Sequence, residues 1–119
     1  PNEIVVEVQV PPAKPNTKSF YLKAREKGAP DFALASVAGV FEMDGKTCKS
    51  ASVVLGGVAP APWRSKEAEA ALTGKMIDDT LSKQAGADAV KDAQPLNDNA
   101  YKVTLTQNLI SRAAMMAAS

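Results

Sequence analysis

The sequence predicts an α+β fold in which an antiparallel sheet of three to four strands packs against about three helices. Two observations support this prediction: strand-like alternation and a hairpin signal lie in the first half of the chain, and helix-like spacing of apolar residues lies in the second half. Strands that precede the helices, instead of alternating with them, are typical of α+β proteins and not of βαβ units. A chain of 119 residues can bury one modest core, so residues 1–119 are assigned to a single domain.

The first part of the chain predicts two extended segments joined by a connector. Residues 3–10 largely alternate β-branched and polar side chains, which is typical of a half-buried strand. Residues 11–18 contain three prolines, which cannot donate to a sheet, and they predict an exposed connector. From Ser19 the sequence indicates a second extended segment, followed by a loop around Gly28 and Pro30.

A β-hairpin is predicted over residues 33–43 and 46–55. The dipeptide Asp44-Gly45 separates these two runs, and it favours a tight turn because it tolerates a positive φ angle. Gly56-Gly57 then ends the second strand of the hairpin. These glycines could also expose backbone N–H groups to an anion, assisted by Arg64, but a strand-ending turn is the interpretation that we favour.

Three helices are predicted in the second half of the chain. The first begins after Ser65, a suitable N-cap, and ends at Gly74. The second covers residues 77–93, although Gly86 weakens its middle by roughly 1 kcal/mol relative to alanine. The third follows the break at Pro95 and runs from about residue 98 to residue 117. Its predicted apolar stripe leaves Thr106 on another face and consists of Tyr101, Leu105, Leu109, Ala113 and Met116.

The composition excludes several classes of function. Because the chain has no histidine, it has no Ser-His-Asp or Cys-His relay and none of the common histidine-containing metal sites. We expect its one cysteine, Cys48, to be a buried structural thiol, and we assign no catalytic residue and no metal ligand. The formal net charge of +1 gives no electrostatic reason to expect nucleic acid or an anionic membrane as a partner. No apolar run is long enough to cross a bilayer, and the cytoplasm is the expected compartment.

The candidate binding residues are Tyr21, Lys23 and Arg25. They alternate in a segment predicted to be extended, so their side chains are expected on one face. An aromatic ring beside two cations suits a planar, anionic ligand such as a flavin nucleotide, through stacking and charge-assisted hydrogen bonds. Trp63 is a further candidate, which either marks an interface or covers the thin core.

Three blocks of the sequence, residues 19–46, 53–74 and 94–113, carry the pattern of a known family. The matching residues are Tyr21, Lys23, Asp31, Phe32, Ala33, Gly56, Gly57, Val58, Pro60, Pro62, Arg64, Glu69, Leu72, Gly74, Pro95, Tyr101 and Lys102. In this order and spacing, the blocks resemble the C-terminal domain of the FAD-binding medium subunit of molybdenum hydroxylases. That group includes xanthine dehydrogenase and carbon monoxide dehydrogenase. The chain departs from the commoner family ending, an Asp-x-Arg before the tyrosine, at Asn97-Asp98-Asn99.

The resemblance implies a role beside a flavin. Upstream FAD-binding subdomains with glycine-rich phosphate-binding loops would hold most of the FAD, and this chain contains neither of them. The resemblance also implies that Lys23 contacts the flavin, that Tyr21 stacks near its ring, and that residues 25–31 lie at the entrance for the electron acceptor. An iron–sulfur subunit and a molybdopterin subunit are the further partners that it implies. Electrons would pass from iron–sulfur clusters through FAD to an acceptor such as NAD.

Two other functions stay open on the residues alone. One is a non-catalytic α+β module that docks to partner subunits without touching the flavin, which the alanine-rich helices and the proline-rich connector would suit. The other is a small stand-alone enzyme, which the lack of histidine and of facing carboxylates disfavours. We expect the isolated chain neither to hold FAD tightly nor to be active, because the phosphate-binding loops are not in it.

Overall fold

The computed structural model of the protein describes residues 2–26, 28 and 30–119. Its elements are, in chain order, β1 (Thr17–Ala24), β2 (Ala35–Asp44), β3 (Thr47–Gly56), β4 (Trp63–Arg64), α1 (Lys66–Leu72), β5 (Lys75–Met76), α2 (Asp79–Val90) and α3 (Tyr101–Ala118). The strands form one antiparallel sheet in the order β1-β2-β3-β4, and β5 also pairs with β3. The predicted α+β class is therefore confirmed, with two short strands added at the side of β3.

The predicted hairpin forms the centre of the sheet. Gly45 adopts a φ of 58° in the turn, which is the left-handed conformation that the Asp-Gly dipeptide was expected to supply. Alternate residues of β2 and β3 then point to the helices and are buried: Val37, Phe41, Met43, Val53 and Leu55. The intervening residues of β1, β2 and β3 point away from the helices, so the sheet has a second, largely uncovered face.

Helices α1 and α3 pack on the other face of the sheet, α2 packs against both of them, and side chains cap α1 and α2. The Ser65 hydroxyl accepts from the Ala68 N–H, as predicted, and Asp78 caps α2 by accepting from the Leu81 N–H at 2.7 Å. Cys48 is buried beneath this layer, as expected, and burial raises the pKa of its thiol. No helix in the described ranges is long and apolar enough to cross a membrane.

The buried face of α3 differs from the predicted stripe. Tyr101 is exposed, whereas Thr106, predicted to face elsewhere, is buried. Helix α3 packs against both β2 and α2, so the side of the helix that faces these two elements is the side that is buried. The buried residues accordingly follow the spacing i, i+3, i+4, i+7, i+8 and i+11: Thr106, Leu109, Ile110, Ala113, Ala114 and Ala117.

Gly86 is buried where α2 and α3 meet. A Cβ atom at this position would lie 2.5 Å from the backbone carbonyl oxygen of Gln107 on α3. The glycine therefore permits a close approach of the two helices, and this packing offsets the loss of helix propensity that the sequence predicted.

The strand predicted over residues 3–10 is wrong. This segment pairs with no strand in the described part of the chain, and its apolar side chains are all more than 80% exposed: Ile4, Val5, Val6, Val8 and Val10. In the described sheet β1 remains an edge strand that pairs only with β2, so alternation alone did not bring residues 3–10 to its free edge. The Met43 N–H donates to the Asn16 carbonyl group just before β1 begins. Residues 11–16 are exposed, as predicted for the connector, and β1 begins at Thr17.

Candidate functional site

Tyr21 and Lys23 lie side by side on the uncovered face of β1. Both side chains are exposed, Tyr21 at 64%, whereas the intervening Leu22 points to the core. This is the alternation that the sequence predicted for an extended segment. Arg25 follows the last strand residue, Ala24, so the alternation of the strand does not determine its direction.

The Lys23 side chain closes the base of the loop that follows β1. Its Nζ donates to the backbone carbonyl oxygen of Asp31 at 2.9 Å, and the Asp31 carboxylate accepts from the Phe32 N–H at 2.7 Å. A backbone hydrogen bond from Leu34 to Ala24 completes the closure. Of the predicted entrance loop, residues 25–31, positions 27 and 29 lie outside the described residues.

Phe32 is an exposed aromatic residue of this region that was not among the predicted binding residues. Its side chain is 93% exposed, although it follows directly on the residue that Lys23 holds. The sequence contained a signal, because an apolar aromatic residue between a loop and the first residue of a hairpin has no obvious core position. Two aromatic rings and one ammonium group are thus presented near the same end of the sheet.

The uncovered side of the sheet next to these groups has small side chains. The register pairs Tyr21 with Ala38 and Ala38 with Val54, and it pairs Lys23 with Ser36 and Ser36 with Gly56. We call this surface the outer face, and it comprises Tyr21, Lys23, Ser36, Ala38, Val40, Val54 and Gly56, of which Ser36 is buried. The small side chain of Ala38 beside Tyr21 leaves a flat surface on which a planar group can lie. The Ser36 hydroxyl is covered and lies over Gly56.

The glycine pair at the end of β3 is a strand-ending turn, the interpretation that we favoured. Gly57 has a φ of 74°, and a Cβ there would lie 3.0 Å from the carbonyl oxygens of Ala33 and Leu34. Lys102 of α3 donates to the Gly57 carbonyl oxygen at 3.1 Å. The turn is therefore packed against residues 33 and 34, which follow the loop after β1, and it is hydrogen-bonded to α3.

Arg64 does not face an anion at this turn. Its Nε and Nη2 donate to the two carboxylate oxygens of Glu69, at 2.8 and 3.1 Å. The pair raises the pKa of the Arg64 guanidinium through the hydrogen bond and the charge of Glu69. Trp63 is 55% exposed, so it does not cover the core, and it lines a groove on the helix side of the sheet.

The family model of the CO dehydrogenase flavoprotein C-terminal domain matches residues 19–117. The chain belongs to this family. The match begins within β1, after the exposed segment and its connector, and ends one residue before the end of α3, so it includes all of the elements between them.

Similar proteins are longer than this flavoprotein C-terminal domain. The chain is 35% identical over 116 residues to the aldehyde oxidoreductase FAD-binding subunit PaoB of Escherichia coli (strain K12), covering 93% of this chain and 31% of that protein. It is 31% identical to the glyceraldehyde dehydrogenase medium chain of Sulfolobus acidocaldarius, covering 82% of this chain and 34% of that protein. The chain thus spans about a third of the length of these relatives.

Solved structures share the fold. A carbon monoxide dehydrogenase from Hydrogenophaga pseudoflava superposes with a TM-score of 0.81 at 29% identity, over 92% of this chain and 40% of that chain. Quinoline 2-oxidoreductase from Pseudomonas putida 86 superposes with a TM-score of 0.76 at 28% identity, over 87% of this chain and 38% of that chain.

The chemistry of the outer face of this flavoprotein C-terminal domain suits a planar group better than a phosphate group. Tyr21 and the small residues beside it suit a planar ring, and the Lys23 ammonium could donate to a carbonyl oxygen of that ring. The two cations nearest the glycine turn, Arg64 and Lys102, are both engaged within the fold. Among residues 2–26, 28 and 30–119, neither of these two cations is therefore left to hold a phosphate group at this turn.

Proposed function

We propose that this chain is the C-terminal domain, residues 1–119, of the FAD-binding subunit of a molybdenum hydroxylase, and that its outer face lies against the flavin. The observation that carries the proposal is the presentation of Tyr21 and Lys23 on one exposed face, with Lys23 oriented by the Asp31 carbonyl group. In this position Tyr21 would shield one side of the ring. Lys23 would supply a positive charge that stabilises the anionic forms of the reduced flavin.

The structure also supports Phe32 as a second aromatic contact. Its ring is exposed next to the closed base of the loop, and Asp31 holds its backbone. An exposed phenylalanine is unfavourable in water and gains from covering by a ligand or a partner. We therefore add Phe32 to the flavin-facing residues that the sequence predicted.

The partners follow from this role. Upstream FAD-binding subdomains would hold the phosphates, an iron–sulfur subunit would deliver electrons, and a molybdopterin subunit would oxidise the substrate. FAD, when bound, would pass the electrons to an acceptor such as NAD, and this chain would position the ring and adjust its potential. The compartment expected from the sequence, the cytoplasm, is part of this proposal.

The test uses the complete FAD-binding subunit that contains this chain. Lys23→Met should raise the FAD dissociation constant about tenfold, as expected for one lost charge-assisted hydrogen bond, and should lower the midpoint potential of the flavin. Tyr21→Ala should lower the flavin content of the purified subunit. Lys91→Met, a matched loss of charge at the exposed end of α2, should leave all three quantities unchanged.

The docking module is the second candidate, and a specific observation favours it. Val40, on the outer face but several residues from Lys23 along the sheet, is 47% exposed, so apolar surface extends beyond the area that a flavin ring would cover. Unchanged flavin content, potential and turnover in both Lys23→Met and Tyr21→Ala would exclude flavin contact. Loss of subunit assembly in Val40→Asp, measured by gel filtration, would then support docking instead.

A further inference from the structure

A groove of about 520 Å³ lies on the helix side of the sheet. It forms where the loop after β3 meets the end of α2 and the start of α3, and its apolar wall comprises Leu55, Val58, Trp63, Val90 and Val103. Volumes of roughly 300 to 1,000 Å³ are typical of small-molecule sites. We propose that this groove binds an organic cation, a primary ammonium group carried on a flat apolar body. The proposal does not depend on the flavin role of the outer face.

The charges that line the groove favour a cation. Glu67, Asp88 and Asp92 contribute three carboxylates, against the single ammonium group of Lys102. Lys102 is engaged with the carbonyl oxygen of Gly57. Within residues 2–26, 28 and 30–119, neither Glu67 nor Asp92 forms an ion pair. The groove therefore has an excess of negative charge that its own residues do not neutralise.

A buried hydroxyl group in the lining points independently to a ligand. Thr106 lines the groove and is 2% exposed, and its Oγ1 has no hydrogen-bond partner among the described residues. A buried hydroxyl without a partner is unfavourable, and native structures rarely keep one without a reason. The Oγ1 atom itself is covered, so an ammonium group in the groove would reach it only once the Thr106 side chain turns toward the groove, where the hydroxyl oxygen would accept and the ammonium would donate.

Trp63 supplies the aromatic surface that such a ligand requires. Its ring lines the groove while more than half of the residue is exposed, so it can stack on a flat apolar body. Tryptophan also gives the strongest cation–π interaction of the aromatic side chains. Trp63 is the one tryptophan of the sequence, and its fluorescence therefore reports on this groove alone.

The first test titrates the 119-residue chain with three probes of the same size while the Trp63 fluorescence is recorded. Phenethylammonium should change the fluorescence with saturation. The neutral 2-phenylethanol should bind at least about tenfold more weakly, because it lacks the cation–π and carboxylate attraction. Phenylacetate, which carries the opposite charge, should cause no saturable change. Equal affinity for all three probes, or no response to phenethylammonium, would overturn the proposal.

The second test uses variants whose fold is checked by circular dichroism, with binding followed through the amide signals of Val58 and Val103. Glu67→Gln combined with Asp92→Asn should weaken phenethylammonium at least about fivefold at low salt. Thr106→Val should weaken it as well. Glu3→Gln combined with Glu7→Gln removes the same charge from the exposed segment and should leave the affinity unchanged. Equal weakening in this control pair would mean attraction to net charge only and would contradict the proposal. Neither test involves a flavin, so its failure would leave the proposed function standing.

Discussion

Glu69 is the residue that joins α1 to the sheet. Its Oε1 accepts from the Val53 N–H at 2.9 Å and from the Arg64 Nε at 2.8 Å. Partial burial opposes ionisation of this carboxyl group, but the Arg64 guanidinium and the Val53 N–H outweigh it and lower the pKa from its ordinary value of 4.5. The pair of Arg64 and Glu69 is thus a structural connection between β4 and α1.

The lowered pKa predicts a dependence of stability on pH. Because the pKa of Glu69 is lower in the folded chain than in the unfolded chain, its contribution is complete well above pH 4.5 and is lost as the pH falls through the folded pKa. Glu69→Gln should reduce the free energy of unfolding by about 1 kcal/mol at pH 7, and this difference should shrink below about pH 4.5. Urea unfolding at several pH values measures it. Glu67→Gln, on the exposed side of the same helix, should show no such convergence.

The contact between α2 and α3 determines which face of α3 is buried. Both helices present alanines and one glycine to each other, including Ala85, Gly86 and Ala114, and small side chains allow the backbones to approach closely. The same approach turns α3 so that Thr106 is buried and Tyr101 is exposed. Helix periodicity in the sequence located these helices, but the partner of each helix determined which of its faces was covered.

Gly86→Ala tests this contact. Alanine would raise the intrinsic propensity of α2 by about 1 kcal/mol, yet its Cβ would lie 2.5 Å from the Gln107 carbonyl oxygen. We expect a net destabilisation of about 1–3 kcal/mol in chemical unfolding, because the obstructing atom belongs to the backbone of α3. Thr80→Ala, on the exposed face of the same helix, should be neutral or stabilising. Restored stability in Gly86→Ala combined with Gln107→Ala would contradict the assignment, since the second change does not move the carbonyl group.

The whole molecule has one covered and one uncovered side of the sheet. Apolar side chains are exposed on the outer face, at Phe32 and along residues 3–10, in a chain that spans about a third of the length of its relatives. Large exposed apolar side chains are candidates for contact with a partner when several of them occur in one chain. These surfaces suit the further parts and partners that the proposed function requires, whereas the core beneath the helices needs none of them.

Deleting the first ten residues tests the independence of the core. None of the described residues among them is buried, and their one hydrogen bond between side chains, from Gln9 to Glu7, is internal to the segment. The thermal midpoint should therefore change by less than about 2 °C. Deleting the first sixteen residues should lower it, because this also removes the carbonyl group that accepts from Met43 and the ion pair between Lys14 and Glu42. Equal midpoints for the two deletions would contradict the anchoring role of residues 14–16.

The N-terminal segment and the candidate binding residues show which structural features local sequence patterns can predict. Alternation predicted strands over residues 3–10 and from Ser19 onward, but only the second became a strand, because only that one has a neighbour in β2. Tyr21 and Lys23 were predicted to share a face, and they do. The closure of the loop before Phe32 includes a hydrogen bond between Lys23 and a carbonyl group eight residues away, which no local pattern contains.

The sequence by itself determined the α+β class, the hairpin at Asp44-Gly45, the caps of α1 and the family, because each of these depends on residues close together along the chain. The tertiary structure decided which sheet face stays uncovered, which side of α3 is buried and where the groove at Trp63 opens. Those features result from packing between elements distant in the sequence, where the volume of Gly86 or the reach of Lys102 matters more than hydropathy.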